Sequence, residues 1–371
     1  MNFKKKIGNF IENSIYESLD LEQSFIQDCK KKISDHSDDK ELTLVISHNK
    51  DSPLRGFEKI DLILKEKGID LDGLVNFKKN MKINFKTLKN TPAIRNYIKL
   101  IDKATIKSFE DLKQNNQVDQ RHHENTDFSE VWNELNEYAS SKWDIMKIGF
   151  TTVPNTLIFA DKYIKYQYAL IFMQEMNRDQ INKAPRVEAG RESMKIYESL
   201  GRAVNDIANW LRAKGIKCQS NHPMGGLVAY APLAGKAGMG GFGKMGLLIT
   251  PEFGARQRLA AIYIDQKYFN FTDSSENDWI EFYCEPCGIC VDKCPGDAIN
   301  EEKGINVDYI EGFGQLKTCI DTLKCYKHFI LNFGCSICIK SCPFSIGNGI
   351  YNRIKEKFMN SERYKSRYPS I

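Results

Sequence analysis

Nine cysteines fall between Cys284 and Cys342, eight of them in two runs whose spacing leaves few structural options. The first run is Cys284-x2-Cys287-x2-Cys290-x3-Cys294-Pro295, and the second is Cys325-x9-Cys335-x2-Cys338-x3-Cys342-Pro343. Thiolates are the soft ligands that iron–sulfur clusters require. Two-residue gaps wrap a short loop, so three sulfurs converge on one cube. The three-residue gap before Cys-Pro carries the fourth cysteine toward the other cube. This spacing assigns Cys284, Cys287, Cys290 and Cys342 to one [4Fe–4S] cluster. Cys294, Cys325, Cys335 and Cys338 are assigned to a second, with Cys319 as the alternative to Cys325. Zinc needs only four ligands, and zinc binding does not call for this pattern twice. Two cubes with interleaved ligands lie close together, which suits the movement of single electrons over a short path.

A ferredoxin-like module of this kind occupies residues 279–350, so most of the 371-residue chain must do something else. That length leaves room for two or three domains with their own cores. The two cysteines outside this span, Cys29 and Cys218, are isolated. Such clustering points to metal or redox chemistry in a reducing compartment rather than to disulfides. The 53 basic residues nearly balance the 48 acidic ones, for a net charge of +5. That balance speaks against a surface that tracks nucleic-acid phosphates. The first residues, Met1–Gln23, are basic and then mixed, with no apolar core and no twin-arginine pair. They do not read as an export signal. No stretch reaches the roughly 18 apolar residues a membrane helix needs. A cytoplasmic protein without a membrane span is expected.

Residues 1–135 are rich in Lys, Asp, Glu and Asn and read as a mostly helical N-terminal region. Helix-like segments cover 5–33 and 93–113, the second opened by Thr91 as cap and Pro92 in the first turn. The polar stretch Gln114–Thr126 reads as a linker, and His122 and His123 within it as solvated loop residues. Residues 136–278 read as an α+β domain, with strands at 147–153 and 165–172. A long helix is expected at Glu188–Lys214, because Tyr197, Leu200, Val204, Ile207, Ala208 and Leu211 recur on one face. Gly215 supplies its stop. Eight glycines then crowd into Gly225–Gly246. The segment Gly238-Met239-Gly240-Gly241-Phe242-Gly243 is one residue short of the dinucleotide fingerprint, and no Gly-Lys-Ser/Thr follows to make a phosphate loop. Glycines let a backbone come close to a large flat ligand. Two strands around a turn at Pro251–Gly254 follow. Residues 351–371 read as a C-terminal tail.

Residues from about 147 to 345 resemble the corrinoid-dependent reductive dehalogenases and, more distantly, the epoxyqueuosine reductases. EMNRDQINKAP at 175–185, the Tyr197 helix ending in LRAKG, PLAGKAGMGGFGKMGLLITPEFGARQRL at 232–259 and the two cysteine runs carry the resemblance. AGMGGFGKMG is similar to the family's A-G-L-G-E-x-G-R-x-G, and departs from it at Gly241 and Lys244. The ten-residue step from Cys325 to Cys335 matches the dehalogenases better than the queuosine enzymes.

The resemblance implies a nitroreductase-like cobalamin-binding α+β domain, followed by a bacterial ferredoxin-like module with two [4Fe–4S] clusters. It implies a cobalamin or related corrinoid bound base-off, with Gly238, Met239, Gly240, Gly241, Phe242, Gly243 and Lys244 as contacts. Tyr197 takes the place of the family's proton donor. Arg256 or Arg258 is the expected basic neighbour, with Lys244 behind. Asn221 takes the place of an Asn near the substrate halogen, while His222 and Pro223 beside it carry no assigned role. A phenol gives up a proton more readily when a cation lowers its pKa from about 10. The implied function is a reductive dehalogenase-like oxidoreductase. Its substrate is a small molecule of the organohalide type, and its donor a ferredoxin- or flavodoxin-type protein.

Two other functions compete. An epoxyqueuosine reductase-like tRNA-modification enzyme would place an acidic donor near Tyr197, and Met194, Lys195 and Ile196 offer none. An electron-transfer or corrinoid-reactivating iron–sulfur protein would have no use for Tyr197.

Overall fold

The computed structural model describes residues 128–367 apart from short stretches, the longest being most of 301–331, together with a few positions between 104 and 112. Segment 5–33, the linker with His122 and His123, and Cys29 and Cys319 lie outside the described residues. So does most of 93–113, whose described positions 104, 107, 108, 111 and 112 are helical.

Six consecutive positions, Ala169 to Gln174, are buried in the strand Tyr168–Glu175. A strand covered on one face alternates apolar and polar residues, whereas one covered on both faces reads as a continuous apolar run. The surrounding elements supply both covers. In chain order they are α1 (Val131–Trp143), β1 (Ile148–Thr152), β2 (Tyr168–Glu175), α2 (Arg178–Ile181), α3 (Val187–Ala213), β3 (Cys218–Asn221) and α4 (Tyr230–Lys236). The hairpin β4 (Gly241–Phe242) and β5 (Leu248–Ile249) follows, then β6 (Gln257–Ile264), α5 (Trp279–Cys287) and α6 (Ile289–Asp292). A second short hairpin, β7 (Tyr309–Ile310) and β8 (Gly314–Gln315), leads to α7 (Ile337–Ser341), a 3-10 turn at Pro343–Ile346, α8 (Asn348–Met359) and α9 (Glu362–Arg367).

The main sheet has the order β1-β2-β6-β3, and every pairing is antiparallel. Period-two alternation sends Leu170, Phe172, Ala260 and Ile262 to one face, where they meet Leu200, Val204, Ile207 and Leu211 of α3 and Leu135 of α1. Ala169, Ile171, Met173, Ala261 and Tyr263 face the other way, against Leu233 and Ala234 of α4 and Met239. Each fully buried Leu, Ile or Phe contributes about 1.5–3 kcal/mol, so both covers are needed to hold the central strands.

The expected long helix is α3. Its end is a paired cap: Gly215 N–H donates to Arg212 O (2.9 Å) and Ile216 N–H to Leu211 O (3.0 Å), with Gly215 at φ +85. Leu200, Val204, Ile207, Ala208 and Leu211 are buried as the periodicity predicts, but Tyr197 is only half-buried. It lies one turn beyond the stripe that packs on the sheet.

A third core joins the cysteine-bearing part to the sheet domain. Trp279, Ile280, Ile339 and Phe344 pack with Met176, Ile181, Ile196, Met245 and Ile249. Two helices run across the expected boundaries. A division between 135 and 136 cuts α1, whose Leu135 is fully buried. A tail beginning at 351 cuts α8: Tyr351 is buried in the third core, and its hydroxyl donates to Asn277 Oδ1. An apolar stripe on α8 explains this docking: Ile354 and Phe358 pack against the same core. Among the described residues, no helix is long and apolar enough to cross a membrane.

Candidate active site and metal centre

Cys284 and Cys287 stand on the last turns of α5, Cys290 on α6, and Cys342 heads the 3-10 turn. These four thiols line one pocket together with Lys244 and Phe344. They are the four cysteines that the spacing assigns to the first cluster. Burial pushes the Cys342 thiol up to about 12, opposed by the backbone N–H groups of Phe344 and Ser345 and reinforced by Cys287 and Cys290. Burial likewise raises Cys284, with Cys342, Cys287 and Cys290 adding to it.

The second set is linked in the same way. Cys338 is raised to about 12 by burial, then by Cys335 and Cys325. Cys335 is raised by burial, and its neighbour Cys294 raises it further. Cys325 is exposed. Thiols held this high give up their protons to solvent as the thiolates bind a cationic centre, so metal uptake would be coupled to proton loss. Among the described residues, no three His, Cys, Asp or Glu side chains are gathered as ligands of a single ion.

Of the two candidate arginines, only Arg258 meets the tyrosine. Its guanidinium carbon lies 4.8 Å from the Tyr197 ring centroid, and its Nη2 donates to Ser193 Oγ at 3.2 Å, one turn earlier on α3. Its Nε is buried and has no hydrogen-bond partner among the described residues. Register explains the meeting. Arg258 pairs with Gln174 of β2 and shares a face with Ala260 and Ile262, the face that α3 covers.

Arg256 is engaged elsewhere. It is 3% exposed, and its Nε donates to Ser345 O at 2.7 Å and its Nη1 to Met176 O at 2.9 Å. It also pairs with Glu175. It is a strut between the end of β2 and the segment after Cys342. Its donors are committed because the turn at Thr250–Gly254 directs it there, just before β6 begins.

Asn221 is buried, and its Oδ1 accepts from Leu227 N–H (2.9 Å), the Tyr263 hydroxyl (3.2 Å) and the Tyr230 hydroxyl. Its strand register pairs it with Ala261, on the sheet face opposite Arg258. It makes no hydrogen bond to Tyr197 or Arg258.

The glycine-rich passage is packed against the chain itself. A Cβ at Gly240 would lie 2.3 Å from Ile249 O, and one at Gly241 would lie 2.3 Å from Asn277 O. Gly238, at φ +68, abuts Thr272 O, and Gly243 abuts the Ile249 side chain. Met239 is fully buried, and Phe242 packs against the second core. Of the seven residues expected to contact a corrinoid, six are explained by internal packing. Lys244 reaches the four-thiol pocket.

No family model matches the chain. Over 219 residues it is 28% identical to the tetrachloroethene reductive dehalogenase of Desulfitobacterium hafniense, a match covering 55% of this chain and 39% of that protein. The tetrachloroethene reductive dehalogenase of Dehalobacter restrictus matches at 28% over 218 residues, with the same shares. The chain is a relative of the reductive dehalogenases. It spans about two fifths of the length of these curated relatives. A solved catabolic reductive dehalogenase, NpRdhA, superposes with a TM-score of 0.57 at 17% identity, covering 71% of this chain and 40% of that one. This likeness shows a shared fold. The epoxyqueuosine reductase of Lactococcus garvieae is 30% identical over 125 residues, 33% of each chain.

Sequence reasoning missed Ser193 and Gln174, which flank Arg258. Gln174 Nε2 donates to Trp143 O (2.8 Å) and Ser199 Oγ (3.0 Å), fixing α3 against β2. Ser193 precedes Tyr197 by four residues, the helical spacing at which two side chains share a face. That spacing was the signal available for it.

Proposed function

We propose that the chain is a reductive dehalogenase-like oxidoreductase that replaces a leaving group on a small molecule by hydrogen. Residues 136–278 would form a nitroreductase-like corrinoid domain and residues 279–350 a ferredoxin-like module, in a cytoplasmic protein fed by a ferredoxin- or flavodoxin-type donor. Cys284, Cys287, Cys290 and Cys342 would hold one [4Fe–4S] cluster, and Cys294, Cys325, Cys335 and Cys338 the other. The four-thiol pocket supports this assignment. The corrinoid rests on the resemblance to the dehalogenases. When bound, the clusters and corrinoid would supply the two electrons that replacement of a halide by hydrogen consumes.

The chain's own contribution is the proton and its control. The observation that carries the reading is the Arg258 guanidinium over the Tyr197 ring. A cation against an aromatic face fixes the orientation of the ring, and with it the direction of the hydroxyl. Ser193 holds the guanidinium from the side. The unpartnered Arg258 Nε is costly when buried, and a halogen or oxygen atom of a substrate would satisfy it.

The test is Tyr197→Phe in anaerobic protein assayed with halogenated phenols and alkenes. Turnover is expected to fall about 10²–10⁴-fold with iron content unchanged. Full turnover in the Phe variant would contradict Tyr197 as donor. An electron-transfer protein without a substrate of its own would show no turnover in either form.

A further inference from the structure

Lys244 sits in the turn of the β4–β5 hairpin, closed by Gly243 N–H to Leu247 O (2.9 Å) and Gly246 N–H to Gly243 O (2.8 Å). The hairpin is pressed onto α5, since a Cβ on Gly241 would come within 2.7 Å of Ile280 Cβ. That helix carries Cys284 and Cys287. The Lys244 ammonium donates to Glu285 O at 3.3 Å, between those two cysteines. Lys244 is the one charged side chain lining the four-thiol pocket among the described residues. Its backbone N–H also donates to the Cys284 sulfur, and its charge is felt at Cys290.

We propose that Lys244 is a positioning residue for electron transfer: a fixed cation that raises the reduction potential of the group held by Cys284, Cys287, Cys290 and Cys342. The proposal rests on the iron–sulfur reading above. Reduction adds one electron from a low-potential donor of the ferredoxin or flavodoxin class. No bond forms or breaks, and one negative charge is added to four thiolates and their iron. A cation a few ångströms away in a buried site favours the more negative state. The glycine-rich hairpin would then serve the cluster: its glycines bring the turn close enough to α5 for one lysine to reach the thiols.

The experiment uses the full chain, purified without oxygen and loaded with iron and sulfide. Wild type, Lys244→Gln, Lys244→Arg and the surface control Lys355→Gln are compared. Iron per chain is measured together with midpoint potentials from a redox titration followed by electron paramagnetic resonance. Wild-type iron with one potential shifted negative in Lys244→Gln is expected, with Lys244→Arg and Lys355→Gln unshifted. An unmoved potential in an iron-replete Lys244→Gln overturns the inference alone. If the Gln variant loses its iron, Lys244→Arg decides. A retained potential supports the role of the charge, and a negative shift with the charge intact overturns it. A wild-type chain that binds no iron overturns the iron–sulfur reading itself, and this inference with it.

Discussion

His222 is fully buried, with Met224 N–H donating to its Nδ1 at 3.1 Å and Ser108 Oγ lying 3.0 Å from its Nε2. Because Nδ1 accepts, the neutral ring carries its proton on Nε2, which donates to Ser108. Burial holds its pKa down at about 3, against 6.5 for a free imidazole. The unfolded chain therefore binds a proton between these values that the folded chain does not. Stability from this group is complete at pH 7 and is lost as pH falls from about 6.5 toward 3. The thermal midpoint is expected to drop between pH 7 and 5, and to drop less steeply in His222→Asn; equal slopes would contradict this account. Only part of this scale was legible in the sequence. Tyr197 was named through the resemblance. Choosing between Arg256 and Arg258 was beyond the pattern, because two arginines two apart look alike until the turn before β6 bends one of them toward Ser345. His222 gave no signal, since its partner Ser108 lies 114 positions away.

At the level of elements, α3 shows what periodicity can and cannot give. Its length, apolar stripe and glycine stop follow from the sequence, and so does the continuous burial of β2. Gly201 within α3 does not. Alanine at such a position ordinarily favours a helix by about 1 kcal/mol, yet a Cβ there would lie 2.1 Å from His222 Nε2. Gly201→Ala is expected to destabilise the protein by about 1–3 kcal/mol through overpacking, measured as a lower unfolding midpoint. The loss should shrink in a Gly201→Ala, His222→Ala double variant compared with His222→Ala alone, since contacting sites couple. A stabilised single variant would show that the imidazole yields. The glycine-rich passage carries the same lesson. Sequence shows where a backbone can be approached closely but not by what, and Gly240 and Gly241 are approached by Ile249 and Asn277 of the chain itself.

Across the whole molecule, the sheet domain and the cysteine-bearing segment share a core, and Arg256 is bonded to both. Cysteine spacing marked the start of a module near residue 279, where α5 begins. It could not show that Trp279, Phe344 and Tyr351 would pack onto Met176 and Ile249, because such contacts depend on which faces meet. This shared core places the four-thiol pocket against the hairpin of the sheet domain, as passing electrons between the two parts would require. The central claim is that the chain carries two iron–sulfur clusters and a corrinoid. It is tested most directly by metal analysis and the visible spectrum of protein made with added cobalamin and purified without oxygen. The account predicts roughly eight irons and about one cobalt per chain, with base-off corrinoid bands. A full complement of iron with no cobalt retained would contradict it and leave an electron-transfer protein in its place.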